Sequence, residues 1–291
     1  MKKPFFMMLI GLPGAGKSEY AKTINIDNTV ICSSDAMRKE LFGDENIQDS
    51  PALVFEKLLE RAKDNLSKGV NVIFDATNLT RKHRIHTIKQ LPDCYKYATV
   101  VWSKYEVCIE RDKQRERTVG SNVIKKMIYQ FQPPYYDEGW DVINVVITSE
   151  EYSNADYERW IDCPHDNPHH NNTVKEHLQL VATAMKKRSQ PEVMVWVAKL
   201  HDIGKQFTKV FHNAKGEKSE IAHYYYHQNV GSYFALGLEF LADEDSDIRL
   251  FISWLINVHM DPFLNTKYYR NLPQKMKDIV DLFHECDLEG A

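Results

Sequence analysis

Cysteine is scarce: Cys32, Cys94, Cys108, Cys163 and Cys286 are the five in a chain of 291 residues, and they stand far apart. Their odd number and the lack of any C-x-x-C pair argue against a disulfide framework and predict reduced thiols in a cytoplasmic protein. Long apolar runs are missing too. No stretch approaches the ~20 residues needed to span a bilayer, so no membrane association is expected. Met1-Lys2-Lys3 followed by an apolar run imitates a secretory leader, but the run ends at Ile10 without a small-residue cleavage pattern and reads as a first strand. Charge of one sign is also lacking. The 37 Lys and Arg against 41 Asp and Glu leave a formal net charge of −4, which gives no global nucleic-acid signature. The halves differ, with 22 basic against 20 acidic residues up to position 150 and 15 against 21 beyond it. A hydrophobic content of 43% is enough for sizeable cores, and the length predicts about two domains of ~150 residues.

What is present begins with Gly11-Leu12-Pro13-Gly14-Ala15-Gly16-Lys17-Ser18, which fits G-x-x-x-x-G-K-[ST] behind the apolar run Phe5–Ile10 and ahead of a helix predicted from Lys17 to Thr23. Glycines without Cβ atoms let successive backbone N–H groups curl around a phosphate at a helix N-terminus. In such a loop Lys17 reaches the β- and γ-phosphates and the Ser18 hydroxyl holds Mg²⁺, so ATP or GTP is the expected cofactor.

Further strands are predicted at 28–32, 70–74, 97–102 and 141–147, alternating with helices, of which 51–68 is the longest before position 150. That alternation indicates a parallel α/β sheet, whose ligands bind at the carboxyl ends of the strands. Ser33-Ser34-Asp35-Ala36-Met37-Arg38 falls at one such end. Asp35 is there a candidate general base for an acceptor hydroxyl, with Arg38 one helical turn on. The plainer alternative is a capped helix with an Asp-x-x-Arg ion pair. Asp75-Ala76-Thr77-Asn78 falls at another end, where Asp75 is placed to orient Mg²⁺ and Thr77 and Asn78 to touch substrate, against the alternative of an Asx turn. Arg81-Lys82-His83-Arg84 reads as a solvated helix face, with contact to an acceptor phosphate the other possibility. The arginine-rich stretch 110–117, with Arg111, Arg115 and Arg117, suits a lid over the transferring phosphoryl group or, alternatively, an ion-paired surface helix.

Gly-x-Pro-Gly-x-Gly-Lys-Ser, the strand-end Ser-x-Asp-x-x-Arg, Asp-Ala-Thr-Asn and Arg-x-x-x-Arg together resemble the 5′-OH polynucleotide kinases of phage and bacterial RNA repair, from about Phe5 to Ile147. The resemblance implies Asp35 as base, Arg38 as a contact to the acceptor 3′-phosphate, and Arg115 as the lid arginine on the donor phosphates. Small-molecule kinases of the same P-loop group share much of the pattern.

Residues 151–170 are polar, contain Pro164 and Pro168, and read as a linker between a first domain at 1–150 and a second at 171–291. From Thr173 helical periodicity prevails, at 174–185, 193–200, 234–241, 248–258 and 276–286, so the second domain is expected to be all-α. His177, the doublet His201-Asp202, His227, His259 and Asp287 are spread over these helices, a set of imidazoles and carboxylates suited to transition metals. His223 competes with His227 and Asp261 with Asp287, while His165, His169 and His170 are loop candidates. Tyr224-Tyr225-Tyr226 reads as core, with base stacking as the alternative.

His177, His201-Asp202-Ile203-Gly204-Lys205 and the helix closing on Asp287 resemble the HD phosphohydrolase superfamily, and the local wording is nearest to the HD domains of tRNA nucleotidyltransferases. The resemblance implies a site for one or two divalent transition metal ions, with His227 and His259 serving a second ion, and Lys205 stabilising charge on a phosphate. A kinase joined to a phosphohydrolase suits broken RNA, with DNA as the alternative, whose ends carry a 5′-hydroxyl and a 2′,3′-cyclic or 3′-phosphate. Such healed ends need a separate ligase, since no ligation lysine motif is found. Two other readings are a metabolite kinase fused to an HD nucleotidase, and a nucleotide sensor without turnover.

Overall fold

The computed structural model describes residues 3–47, 50–115, 118–164, 166 and 173–290. By their contacts the residues group into two compact units, Met1–Met127 with Pro134–Glu150, and Ile128–Pro133 with Glu151–Ala291.

The first unit is a five-stranded parallel sheet in the order β2-β3-β1-β4-β5, formed by β1 (Phe5–Ile10), β2 (Thr29–Ser33), β3 (Asn71–Asp75), β4 (Tyr95–Trp102) and β5 (Val142–Ile147). Helices α1 (Lys17–Thr23), α2 (Ser34–Phe42), α3 (Pro51–Ser67), α4 (Arg81–Ile88), α5 (Tyr105–Lys113) and α6 (Ser121–Ile128) alternate with the strands. Helices on both faces explain why β1 is apolar throughout rather than alternating: Phe6, Met8, Leu9 and Ile10 are all fully buried. Helix α3 starts on Pro51, whose missing N–H costs nothing in a first turn, and buries Val54, Leu58, Leu59, Ala62 and Leu66 along one stripe. Register then fixes the business end of the sheet. Ser33 pairs with Asp75 and Asp75 with Leu9, so β2 and β3 end at one level, one residue short of the end of β1.

Arg81–Arg84, expected on a solvated face, is partly core. Arg84 is fully buried and forms a two-pronged pair with Glu138, Nε to Oε2 at 2.8 Å and Nη2 to Oε1 at 2.5 Å. Its Nη1 also donates to the carbonyls of Asn78 and Leu79, at 3.1 and 3.0 Å, so the guanidinium clamps the loop after β3. Nothing local announces this, because the partner lies 54 positions away. Glu138→Ala leaves that buried cation unpaired and is expected to lower the unfolding free energy by about 3–5 kcal/mol in denaturant titration. A loss below about 1 kcal/mol would show that Arg84 finds solvent unaided.

The second unit is mainly helical. It holds α7 (Asn154–Ile161), α8 (Val174–Lys187), α9 (Glu192–Leu200), α10 (Lys205–Thr208), α11 (His227–Ala235), α12 (Ser246–Val258), α13 (Asp261–Leu264), α14 (Lys267–Arg270) and α15 (Gln274–Glu289). Helix α7 occupies the stretch expected to be a linker. It is started by a reciprocal cap in which the Ser153 hydroxyl accepts from the Asp156 N–H at 3.2 Å and the Asp156 carboxylate from the Ser153 N–H at 3.0 Å. Helix α8 begins with the same device between Thr173 and Glu176. An antiparallel hairpin, β6 (Lys209–His212) and β7 (Lys218–Tyr224), is added to the expected helices. Its turn signal is Asn213 to Gly216, where Gly216 takes φ 83° at no steric cost. Among the described residues no helix is long and apolar enough to cross a membrane.

Candidate active sites

At the carboxyl edge of the sheet, the loop between β1 and α1 is bent by Gly14 and Gly16 at φ 79° and 92°. A Cβ on Gly14 would lie 2.3 Å from the Cys108 carbonyl oxygen, so only glycine lets the loop pass α5. Lys17 Nζ donates to the carbonyls of Gly11 and Leu12 at 3.0 and 2.8 Å, which folds its ammonium back over the loop. Burial pushes this ammonium below its usual range, against the pull of Asp75, so the site itself favours an incoming anion. Ser18 Oγ donates to Asp75 Oδ2 at 2.7 Å, which joins the residue expected to hold Mg²⁺ to the carboxylate expected to orient it. A hydroxyl and a carboxylate are hard oxygen donors of the kind Mg²⁺ takes, so both residues fit that ion.

Asp35 stands beside this pair on the neighbouring strand end. The plainer alternative is present: Ser33 caps α2 by accepting from the Asp35 N–H at 3.3 Å, and Arg38 Nη1 donates to Asp35 Oδ1 at 3.0 Å. The Asp35 side chain nevertheless keeps 34% of its surface exposed, and Arg115 Nη2 approaches its other oxygen to 3.9 Å. Arg111, expected on the donor nucleotide, instead binds the loop itself. Its Nη1 donates to the Gly14 carbonyl at 3.3 Å and its Nη2 to the Thr148 carbonyl at 2.7 Å. Asn78, expected at substrate, is buried with its amide donating to the Leu9 carbonyl at 2.7 Å, and Thr77 accepts from the Gly11 N–H at 3.1 Å. Arg111 and the Thr77 carbonyl thus hold the loop, and Asn78 holds the end of β1. Pro13 and Ala15 lie within it, and Arg117 lies outside the described residues.

In the second unit His177, His201, Asp202, His227, His259 and Asp287 converge from α8, the end of α9, α11, the end of α12 and α15. All four imidazoles and Asp202 are buried. His177 Nε2 and His201 Nε2 are 3.1 Å apart, and Asp287 Oδ1 lies 3.0 and 3.1 Å from them. His227 Nε2 and His259 Nε2 are 3.2 Å apart, with Asp202 Oδ1 at 3.3 and 4.0 Å. Asp202 belongs to both groups, since its Oδ2 lies 3.5 and 3.6 Å from His177 and His201.

Protonation makes the case for cations. Each imidazole places Nδ1 against a backbone carbonyl: His177 on Gly290 at 3.0 Å, His201 on Ala198 at 3.0 Å, His227 on Tyr224 at 2.9 Å and His259 on Ile256 at 2.7 Å. A carbonyl can only accept, so each Nδ1 carries a proton, and a ring in its neutral form then turns a lone pair inward at Nε2. Two such pairs of facing lone pairs, and a buried Asp202 Oδ1 that no hydrogen bond reaches, want positive charge between them. Ligands about 2.1 Å from an ion and 90–109° apart are separated by about 3.0–3.4 Å, which matches the two His–His spacings and those of Asp287, while Asp202 stands somewhat wider from all but His227. The carbonyls are the partners that orient ligating histidines. Burial, with His201 and His227 alongside, takes His259 down to about 3, so it stays neutral at physiological pH. Asp202 is held well below the usual carboxylate range because Lys205 and His201 outweigh its burial.

Lys205, expected on a phosphate, has its Nζ 2.6 Å from Asp202 Oδ2. His223 lies in β7 and stacks on Tyr225 at 5.5 Å rather than facing the cluster, and Asp261 begins α13. His165, His169 and His170 lie outside the described residues. Of the tyrosine run, Tyr226 is not core but 57% exposed.

The feature with no sequence signal is the role of Gly204. Its backbone is ordinary, but a Cβ there would fall 2.0 Å from the His227 carbonyl oxygen and 2.7 Å from the Gly231 nitrogen. The close approach of α10 to α11 that sets His227 beside Asp202 therefore needs glycine. Gly204→Ala is expected to weaken divalent-ion binding at the His227 and His259 group about tenfold or more, read by calorimetry. Unchanged binding would show that α11 can shift without cost.

Comparison with known proteins follows this division. Residues 6–134 match the family model described as an AAA domain. With the phosphate loop and the five parallel strands, the first unit is of the P-loop kinase type. Among curated relatives, L-seryl-tRNA(Sec) kinase of Methanococcus maripaludis is 26% identical over 160 residues, 50% of this chain and 59% of its own length. A protein named transcription factor bHLH140 of Arabidopsis thaliana is 28% identical over 161 residues, 53% of this chain and 17% of its own. The chain thus spans less than two thirds of either relative. Among solved structures, a chain of the Pnkp1/Rnl/Hen1 RNA repair complex aligns with TM-score 0.39 and 25% identity, covering 45% of this chain and 44% of that one. A gluconokinase from Sinorhizobium meliloti aligns with TM-score 0.34 and 17% identity, covering 50% and 84%.

Proposed function

We propose that the protein heals polynucleotide ends: the first unit phosphorylates a 5′-hydroxyl with ATP, and the second hydrolyses a 2′,3′-cyclic phosphate or 3′-phosphate. The observation that carries the kinase half is the arrival of Asp35, Ser18–Asp75 and Lys17 at the ends of adjacent strands. Asp35 takes the proton of the acceptor hydroxyl as its oxygen bonds to the γ-phosphorus, and the bond to the β-phosphate oxygen breaks to release ADP. Arg38 holds Asp35 from below, and it and Arg115 supply the positive charge for the acceptor and donor phosphates. The relative named as a kinase of L-seryl-tRNA(Sec) supports an acceptor hydroxyl carried on RNA.

In the second unit His177, His201, Asp202 and Asp287 suit one divalent ion and Asp202, His227 and His259 another. Bound there, such ions supply a nucleophilic water near neutral pH and polarise a phosphoryl oxygen. The chain's own part is to hold Asp202 ionised beside Lys205 and to fix the imidazole tautomers through the four carbonyls. Transfer of label from γ-labelled ATP to a 5′-hydroxyl RNA oligonucleotide tests the first half, and release of phosphate or opening of the ring from the 3′ end, with Mn²⁺, tests the second. No label on any RNA or DNA, with label on a sugar or nucleoside, would replace the reading by a metabolite kinase.

A further inference from the structure

Tyr226 immediately precedes the cluster residue His227 and caps α11 with φ 63° and ψ 23°, a left-handed conformation that a bulky side chain rarely adopts. Glycine or asparagine would take it more easily, and strained backbone of this kind concentrates at functional sites. The ring is the most exposed of all the tyrosines, at 57%. It does not stand alone. Tyr129, nearly one hundred positions earlier, lies beside it with ring centroids 6.3 Å apart and planes 22° from parallel.

Tyr129 is held there by a built support. Asn229 Nδ2 donates to the Tyr129 carbonyl at 2.7 Å, and the buried Asn257 donates to Asn229 Oδ1 at 2.9 Å and to the Phe131 carbonyl at 3.4 Å. Phe131 is fully buried edge-on against Tyr233, 5.1 Å away. These contacts explain why Ile128–Pro133 belongs to the second unit. A second aromatic row follows on the hairpin, where the Tyr225 ring stacks with His223 at 5.5 Å and with His212 at 6.2 Å.

We infer that Tyr226 and Tyr129 form a stacking platform for the terminal base of a single-stranded nucleic acid whose end phosphate enters the His/Asp cluster. The inference rests on the reading of that cluster as a phosphohydrolase site. A stacked ring pair that includes the residue immediately before the cluster residue His227 suits the alternation of base and phosphate along a strand, and stacking accepts any base because every base has a π-face. It thereby supplies affinity that the chain's net charge of −4 does not.

The test uses the full chain with Mn²⁺ and a 5′-phosphorylated RNA trinucleotide ending in a 3′-phosphate, which offers the first unit no 5′-hydroxyl. Binding is read by fluorescence and hydrolysis by phosphate release. Tyr226→Leu, and separately Tyr129→Leu, should weaken binding and raise KM roughly tenfold or more with kcat little changed, while Tyr226→Phe should retain both. The same trinucleotide with an abasic terminal nucleotide should lose that factor on the wild-type chain and be indifferent to Tyr226→Leu. Equal KM for wild type and Tyr226→Leu, with hydrolysis intact, would overturn the platform and leave the phosphohydrolase reading standing. Binding lowered by Tyr226→Leu without hydrolysis by any variant would support the platform and remove the hydrolase. Absence of both binding and hydrolysis in the wild type would remove both.

Discussion

Replacing Asp35 by asparagine is expected to lower the rate of phosphoryl transfer to a 5′-hydroxyl oligonucleotide about 10²–10⁴-fold while ATP still binds. The substitution conserves shape, and an asparagine Oδ1 can still accept from Arg38 Nη1, whose contact with Asp35 Oδ1 is 3.0 Å. What disappears is the ability to take a proton. The hydrogen bonds of Lys17 to the Gly11 and Leu12 carbonyls and of Ser18 to Asp75 are left in place, so KM for ATP and the thermal midpoint should stay near the wild-type values. Lys17→Ala should differ in kind, raising KM for ATP together with the loss of rate, because the charge meant for the β- and γ-phosphates is gone. Initial rates at saturating ATP decide the matter. A rate within twofold of wild type in Asp35→Asn would reduce the carboxylate to a helix-capping ion pair and leave the acceptor hydroxyl to find another base.

The second large effect concerns Asp202, the residue shared by both candidate ligand groups. The wild-type chain should bind one divalent ion per group, and excess Mn²⁺ at a hundred times its dissociation constant should stabilise the fold by about 2.7 kcal/mol per site. Asp202→Asn should weaken both sites at once, because Oδ1 faces His227 and His259 while Oδ2 faces His177 and His201. His259→Ala should empty one group and spare the other. Stoichiometry by metal analysis after dialysis, with the thermal shift beside it, separates these cases. Full stoichiometry in Asp202→Asn would show that the groups act independently and that the carboxylate does not bridge. Asparagine still accepts from Lys205, so loss of metal is not confused with an unpaired buried ammonium.

How far local sequence reaches is visible in particular residues. Gly11–Ser18 is legible because a phosphate loop is one contiguous stretch whose glycines are needed by its own curvature. The strand-end clusters at Asp35 and Asp75 are legible because parallel strands in an alternating α/β chain all deliver their carboxyl ends to one edge. The histidines and aspartates of the second unit are legible as a candidate ligand set through their chemistry; the resemblance already favours His227 over His223, and the placement of His223 in a strand agrees with that choice. Arg84 illustrates the opposite limit. Beside Arg81, Lys82 and His83 it looks like surface, and only the arrival of Glu138 makes a fully buried cation stable.

Sequence alone thus determined the elements whose cause is local: the phosphate loop, the alternation of strands and helices, the helical character of the second unit and the residue types of its cluster. Tertiary structure decided what depends on distant partners. It set Asp202 between two candidate ligand groups, gave Gly204 its purpose through the carbonyl of His227, joined Asn78 to the end of β1 and Arg111 to the phosphate loop, and carried Tyr129 to Tyr226. The physical reason is the same each time: burial and hydrogen bonding are satisfied across the fold, between residues whose sequence separation conceals that they meet.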